Sequence, residues 1–288
     1  MTSPYGSQYP SEQGPVDPNQ YPHSQQPYGA QFPGYGQGYG RGYGQENGAT
    51  PVQPMMGHVQ WRAFDVGTVF SQAWKAFAAT WQTWILATVV YYIISFVLSF
   101  LWMIPVFGFL VSASPESSDA SMFLGLSGFG LLGVLLFIAT VLVGIAWNLN
   151  AYRNAAKVAR GEQISIGSFF RLSGLGKPFL VYLFMCIIVG IGMVLFVIPG
   201  IIALFLLIFA MPAAFQISQV GAGQALSASV KAVRNNIGAT IVLLLVCLLL
   251  SFVGGALIIG VVVTMPLVFL LGAYAFQNAM GAPSYNYR

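Results

Sequence analysis

Two dipeptides, Met211-Pro212 and Met265-Pro266, stand at corresponding places in two long apolar runs. A proline inside a helix removes one backbone hydrogen bond and frees the carbonyl four residues earlier. Paired interruptions of this kind mark binding sites in transporters built from repeats; equally, a duplicated sequence can inherit a structural kink. A second set is basic. Arg153, Lys157 and Arg160 are spaced four and three apart and share a helix face, and Arg171 and Lys177 follow. These five either bind anionic lipid headgroups, at about 1 kcal/mol per residue, or record only the side of a membrane on which the segment lies.

Other chemistry is excluded residue by residue. The acids are Glu12, Asp17, Glu46, Asp65, Glu116, Asp119 and Glu162, and no two are spaced for acid–base work. Both histidines, His23 and His58, precede every apolar run, so a Ser-His pair or a metal centre in the body is not available. No Walker-type glycine loop is present. Cys186 and Cys247 each sit inside an apolar run and read as packing thiols. The sequence therefore predicts no catalytic residue, no metal and no cofactor: a non-enzymatic protein.

The elements that carry these residues follow from composition. Of 288 residues, 57 % are hydrophobic and 6 % charged, with 11 basic and 7 acidic side chains, a net charge of +4 and a mean hydropathy of +0.73. Soluble proteins average about 25 % charged residues. So few charges cannot clothe a water-soluble domain, which excludes a cytosolic globule, a secreted disulfide scaffold and a nucleic-acid binder. The pattern predicts an all-α polytopic membrane protein with six transmembrane helices in three hairpins. The spans fall at about 84–107, 122–147, 178–198, 201–217, 237–254 and 256–276. Turn signals at Pro199-Gly200 and Gly254-Gly255 divide the two longest runs. The first run, near Trp84, is expected to serve as an uncleaved signal anchor.

Residues 1–60 read as a disordered, low-complexity tail rich in Tyr, Gly, Pro and Gln, with too few aliphatic residues for a core. Such a tail is either a solvated tether or a self-associating segment that engages protein partners. Residues 278–288 form a short C-terminal tail around the six-helix domain at 64–277. The basic residues lie before helix one, between helices two and three, between four and five, and at the C-terminus. The positive-inside rule then places both termini in the cytoplasm, with the chain in the plasma membrane. Trp74, Trp81, Trp84, Tyr91 and Tyr92, with Trp147 and Tyr152, occupy positions suited to interfacial aromatic belts.

An internal repeat accompanies the hairpins. At an offset of 156, Gly67, Phe70, Ser71, Lys75 and Phe77 match Gly223, Leu226, Ser227, Lys231 and Val233; Gly167 and Phe170 match at an offset of 100. Each hairpin is thus predicted to follow a short amphipathic interfacial helix. In the first copy Phe70, Trp74, Phe77 and Trp81 are the candidate anchors, facing either the headgroup layer or the protein body. Asp65 and Ser165 are suited to N-capping.

The segment Ala156-Lys-Val-Ala-Arg-Gly-Glu-Gln-Ile-Ser-Ile-Gly-Ser-Phe-Phe-Arg171, the Ile198-Pro199-Gly200 turn and Ala225-Leu-Ser-Ala-Ser-Val-Lys231 resemble a bacterial superfamily of six-helix membrane proteins. It includes YciC-type proteins and the membrane domain of some glycerophosphodiester phosphodiesterases. The resemblance covers about residues 64–277, and the tail is similar to those of actinobacterial envelope proteins. It implies a six-helix plasma-membrane protein, and no phosphodiesterase activity, because the soluble catalytic domain is lacking. The expected partners are membrane lipids and, through the tail, other proteins; no oligomeric state follows. The expected role is a scaffold or accessory factor for envelope or lipid processes, with a small-molecule or lipid transporter as the alternative.

Overall fold

The computed structural model describes residues 53–112, 118, 119, 128, 130–257 and 260–288. Residues 1–52, with most of the predicted tail, and most of the segment joining spans one and two lie outside the described residues. The described chain from Gln53 onward belongs to one compact unit. It is all-helical apart from an isolated bridge between Met55 and Ser218.

The helices are α1 (Val66–Ser112), α2 (Gly130–Ala159), α3 (Gly176–Leu195), α4 (Val197–Leu206), α5 (Ala210–Gln216), α6 (Ala222–Asn235), α7 (Ile237–Ala256) and α8 (Val261–Ala279). Among the described residues six stretches are long and apolar enough to cross a membrane, α4 and α5 together forming one of them. The chain is a multi-pass membrane protein. Three hairpins pair α1 with α2, α3 with α4, and α7 with α8, and α8 also packs on α1 and α2.

Both turn signals lie just off the turns themselves. The α3–α4 turn is Phe196, in an extended conformation, and Pro199 takes the third position of α4. Proline is tolerated in a first turn because no intrahelical acceptor awaits its missing N–H. Gly200 lets the two backbones meet: a Cβ there would come within 2.6 Å of the Met193 nitrogen. Gly254 lies in the last turn of α7 and faces the Thr264 side chain of α8, while Gly255 faces open space.

The three amphipathic segments take three forms. In the first, residues 66–80 continue into the span as one 47-residue helix. At about 1.5 Å per residue this is about 70 Å, against about 30 Å of hydrocarbon. The second is a single 3₁₀ turn at Ile166–Phe169. The third is the separate helix α6. Their buried faces nonetheless agree: Val69, Ala73, Ala76 and Phe77 are buried in α1, and Ala225, Ser229, Ala232 and Val233, each 156 residues later, are buried in α6.

One matched pair explains the difference between the first and third copies. Thr80 of α1 donates its hydroxyl back to the Ala76 carbonyl and the helix runs on. Its counterpart Asn236 leaves the helical conformation (φ −140°, ψ 39°); its carboxamide makes the matching bond to the Ala232 carbonyl and adds two more, with the Phe64 N–H and the Arg62 carbonyl. Side chains that compete for backbone partners end helices in this way.

Packing is uneven along the spans. Buried residues concentrate where the described N-terminal segment, the C-terminus and the α2–α3 and α5–α6 connections come together. We call this the basal end. Toward the other end the side chains of α1, α2, α3 and α7 are largely exposed and apolar, as in Phe96, Phe100, Leu135, Val194 and Phe252. Helices in hydrocarbon need no apolar core to stay inserted, so such surfaces suit lipid contact.

Candidate functional site

The basal end is an interlocked platform. Residues 53–65 cross it before α1 begins. Ser218 donates its N–H to the Pro54 carbonyl at 3.1 Å, and Arg62 donates its N–H to the Ala279 carbonyl at 2.9 Å. The ring of Trp61 meets Phe276 edge-on at 6.1 Å, and Phe64 meets Phe209 at 6.2 Å. Asp65 caps α1 by accepting the Thr68 N–H at 2.6 Å. That hydrogen bond holds the Asp65 carboxyl below its ordinary value of 3.8.

The C-terminus straps the same surface. Tyr285 donates its N–H to the Ala159 carbonyl at 2.9 Å, and Tyr274 donates its hydroxyl to the Tyr285 carbonyl at 3.1 Å. Gln277 donates to the Pro283 carbonyl at 2.6 Å, and Gln72 of α1 reaches Ser284 and Asn286. Tyr287 donates to the Val158 carbonyl at 3.3 Å; burial, with Tyr285 nearby, pushes its phenol up to about 12. Gly281, at φ 65°, makes the turn into this strap; a Cβ there would meet the Gln60 carbonyl at 2.8 Å.

The basic set divides. Arg153 donates to the Arg171 and Ser173 carbonyls at 3.0 and 2.6 Å, folding the α2–α3 connection onto α2. Arg160 pairs with Glu162 at 2.7 Å and donates to the Phe215 carbonyl. Both side chains are thus engaged by groups of the protein itself. Lys157 is half-buried, Arg171 and Lys177 are exposed, and Arg171 donates to Ser173 at 2.8 Å. Lys177 lines a cleft of about 530 Å³ with Gln53, Gly174, Phe215 and Gln219.

Pro212 and Pro266 do not line this cleft. Pro212 is the third residue of α5, after a gap in the span at Leu207–Phe209; Pro266 lies within α8. Met211, Pro212 and Pro266 are buried, Met265 is half-buried, and a Cβ on Gly272 would touch Pro212 at 3.9 Å. The backbone groups exposed by the gap are taken by α6: Ser229 donates to the Leu206 carbonyl at 2.8 Å and accepts the Phe209 N–H at 3.0 Å. A proline that sequence reading passed over, Pro105 of α1, lines an apolar groove of about 340 Å³ with Trp102, Gly133 and Phe137. Neither cleft touches Met211, Pro212, Met265 or Pro266.

The aromatic positions also divide. Phe70, Trp74, Trp81 and Tyr92 are exposed; Phe77, Trp84 and Trp147 are buried, and Tyr91 stacks on Trp147 at 4.6 Å. Phe77 is therefore a core residue of the platform, because α1 lays its 69–73–76–77 face on the body. Trp84 and Trp147 are core residues as well, gripping Phe169 of the 3₁₀ turn. Sequence reading also missed Asn236, Ser229 and Gln72. Only a polar residue on the apolar face of a repeat, as with Ser229, gave any signal.

The chain is 29 % identical over 241 residues to uncharacterized protein Rv2560 of Mycobacterium tuberculosis H37Rv, covering 78 % of this chain and 71 % of that one. Uncharacterized protein Mb2590 of Mycobacterium bovis matches with the same identity and coverage. No family model and no solved structure matches.

Proposed function

We propose that the protein is a non-enzymatic plasma-membrane scaffold or accessory factor for envelope or lipid-related processes. Both ends are cytoplasmic in this reading, and residues 1–52 engage protein partners from a fixed mount. The observation that carries it is the basal interlock. The segment that follows those 52 residues is bonded to Asn236, and α1 to the C-terminal strap, each across more than 150 residues of sequence. A mount of this kind presents an attached segment at a fixed place on the membrane. Arg171 and Lys177 supply cationic charge for anionic headgroups beside it. The resemblance to the six-helix superfamily supports the plasma-membrane location.

Crosslinking from native membranes, with the full chain and with a chain beginning at Gln53, tests the reading. Partners recovered by the full chain should be lost without residues 1–52, while insertion is unchanged. Function kept without those residues, but abolished by Pro212→Ala with Pro266→Ala at unchanged insertion, would instead favour the transporter.

A further inference from the structure

Eight buried side-chain polar atoms have no hydrogen-bond partner among the described residues, and five of them fall on one seam between α1 and α2. They are Trp84 Nε1, Thr88 Oγ1, Trp147 Nε1, Asn150 Oδ1 and Asn154 Nδ2. Trp84, Thr88, Asn150 and Asn154 are 0 % exposed and Trp147 is 3 % exposed. Trp84 and Thr88 are one turn apart on α1; Trp147, Asn150 and Asn154 share a face of α2. Phe169 ties the two faces together, its ring 4.9 Å from Trp84 and 5.5 Å from Trp147. The neighbouring Ser168 donates to Asn154 Oδ1 at 2.7 Å.

Reversing the amides does not remove the unpaired atoms. Asn150 Nδ2 donates to the Ala146 carbonyl at 3.0 Å, so a reversed amide would set oxygen against oxygen. Reversing Asn154 only passes the unpaired role to its oxygen. A buried polar atom without a partner costs the full desolvation of that group. Five on one seam would consume a large share of the net stability of an ordinary domain. Folded proteins satisfy such groups with ordered internal water.

We propose that the α1–α2 seam is a hydrated site. Ordered water there accepts from the Trp84 and Trp147 indoles and from the Asn154 amide, and donates to Asn150 Oδ1; the Thr88 hydroxyl completes the network. The three donors exceed the two hydrogen bonds that a single water accepts, so more than one molecule is required. A lipid ester or phosphate oxygen would also accept, but the burial of all five residues closes the seam to the bilayer. Phe169, wedged between the two indoles, closes it at the basal end.

The test uses the full chain, ¹⁵N-labelled at the indoles, in nanodiscs of phosphatidylglycerol and phosphatidylethanolamine. The indole signals lost in Trp84→Phe and in Trp147→Phe should show magnetisation transfer from water in the unsubstituted protein. Transfer from lipid protons, or from neither source, would overturn the proposal. Thr88→Val keeps shape and branching and removes only the hydroxyl, so it decides the matter if a Trp variant does not fold. A hydrated seam lowers its melting temperature by several degrees. An unchanged or raised melting temperature means that the seam is dry.

Discussion

The Asn236 carboxamide accepts the backbone N–H of Phe64 at 3.0 Å, joining residues 172 apart in sequence. The same side chain donates to the Arg62 and Ala232 carbonyls, both at 3.0 Å. One residue thus ends α6, starts α7 and fixes the segment that leads into α1. Asn236→Ala strips partners from buried backbone groups and should cost about 1–3 kcal/mol. The measurement is thermal unfolding in nanodiscs; Asn236→Asp, which sets a carboxylate oxygen against the Arg62 and Ala232 carbonyls, should not recover the loss.

Ser229 is the second joint. Removing its hydroxyl leaves the Phe209 N–H unpaired beside the gap between α4 and α5. Ser229→Ala should therefore destabilise by about 1–3 kcal/mol, with hydrogen exchange rising first at Ile208–Ala210. Unchanged exchange there would mean that the gap does not depend on α6.

The glycines of the two hairpins separate by what faces them. Gly200→Ala drives a methyl group against the Met193 backbone, and Gly254→Ala drives one against Thr264. Each should cost about 1–3 kcal/mol as overpacking. Gly255→Ala, one residue away and facing open space, should be neutral or slightly stabilising because helix propensity favours alanine. Equal losses at 254 and 255 would refute the close α7–α8 approach.

The six spans were legible in the sequence because long apolar runs have few alternatives to crossing hydrocarbon. The repeat was legible too, and the coincidence of Val69 with Ala225 and of Phe77 with Val233 on buried faces gives it a packing meaning. The platform was not legible. It is built from single side-chain bonds between distant segments, as from Gln72 to Ser284 or from Asn236 to Phe64, and such residues look like ordinary surface polars. The prolines invited a reading as a binding site because the bond that closes the gap comes from Ser229 on another element. Trp84 and Trp147 sit at the depth of an aromatic belt, yet face inward. Periodicity gives depth and face, but not which face finds a neighbour.

The boundary of the N-terminal segment is testable in the same terms. A chain beginning at Gln53 keeps every basal contact described above. A chain beginning at Trp61 loses the Pro54–Ser218 pairing and the packing of Met56 and Val59. The longer truncation should melt several degrees lower, and the shorter one should match the full chain.

The C-terminal strap should be sensitive to alkali. The Tyr287 phenol is raised from its ordinary value of 10.0 to about 12 by burial, then by Tyr285. The docked form holds its proton where the released form has lost it. Docking is thus fully present below about pH 10 and weakens as the pH rises toward 12. Proteolytic release of residues 282–288 against pH measures this, and Tyr287→Phe should flatten the profile.

The central claim is that the C-terminus and the α2–α3 connection share one face of the membrane, and that Asp119 lies on the other. Single cysteines at Arg288, Gln163 and Asp119, in a chain carrying Cys186→Ala and Cys247→Ala, report this through an impermeant maleimide. Asp119→Cys should react in intact cells, and Arg288→Cys and Gln163→Cys only after permeabilisation. Reaction of Arg288→Cys in intact cells, or of Gln163→Cys and Asp119→Cys from the same side, would contradict it.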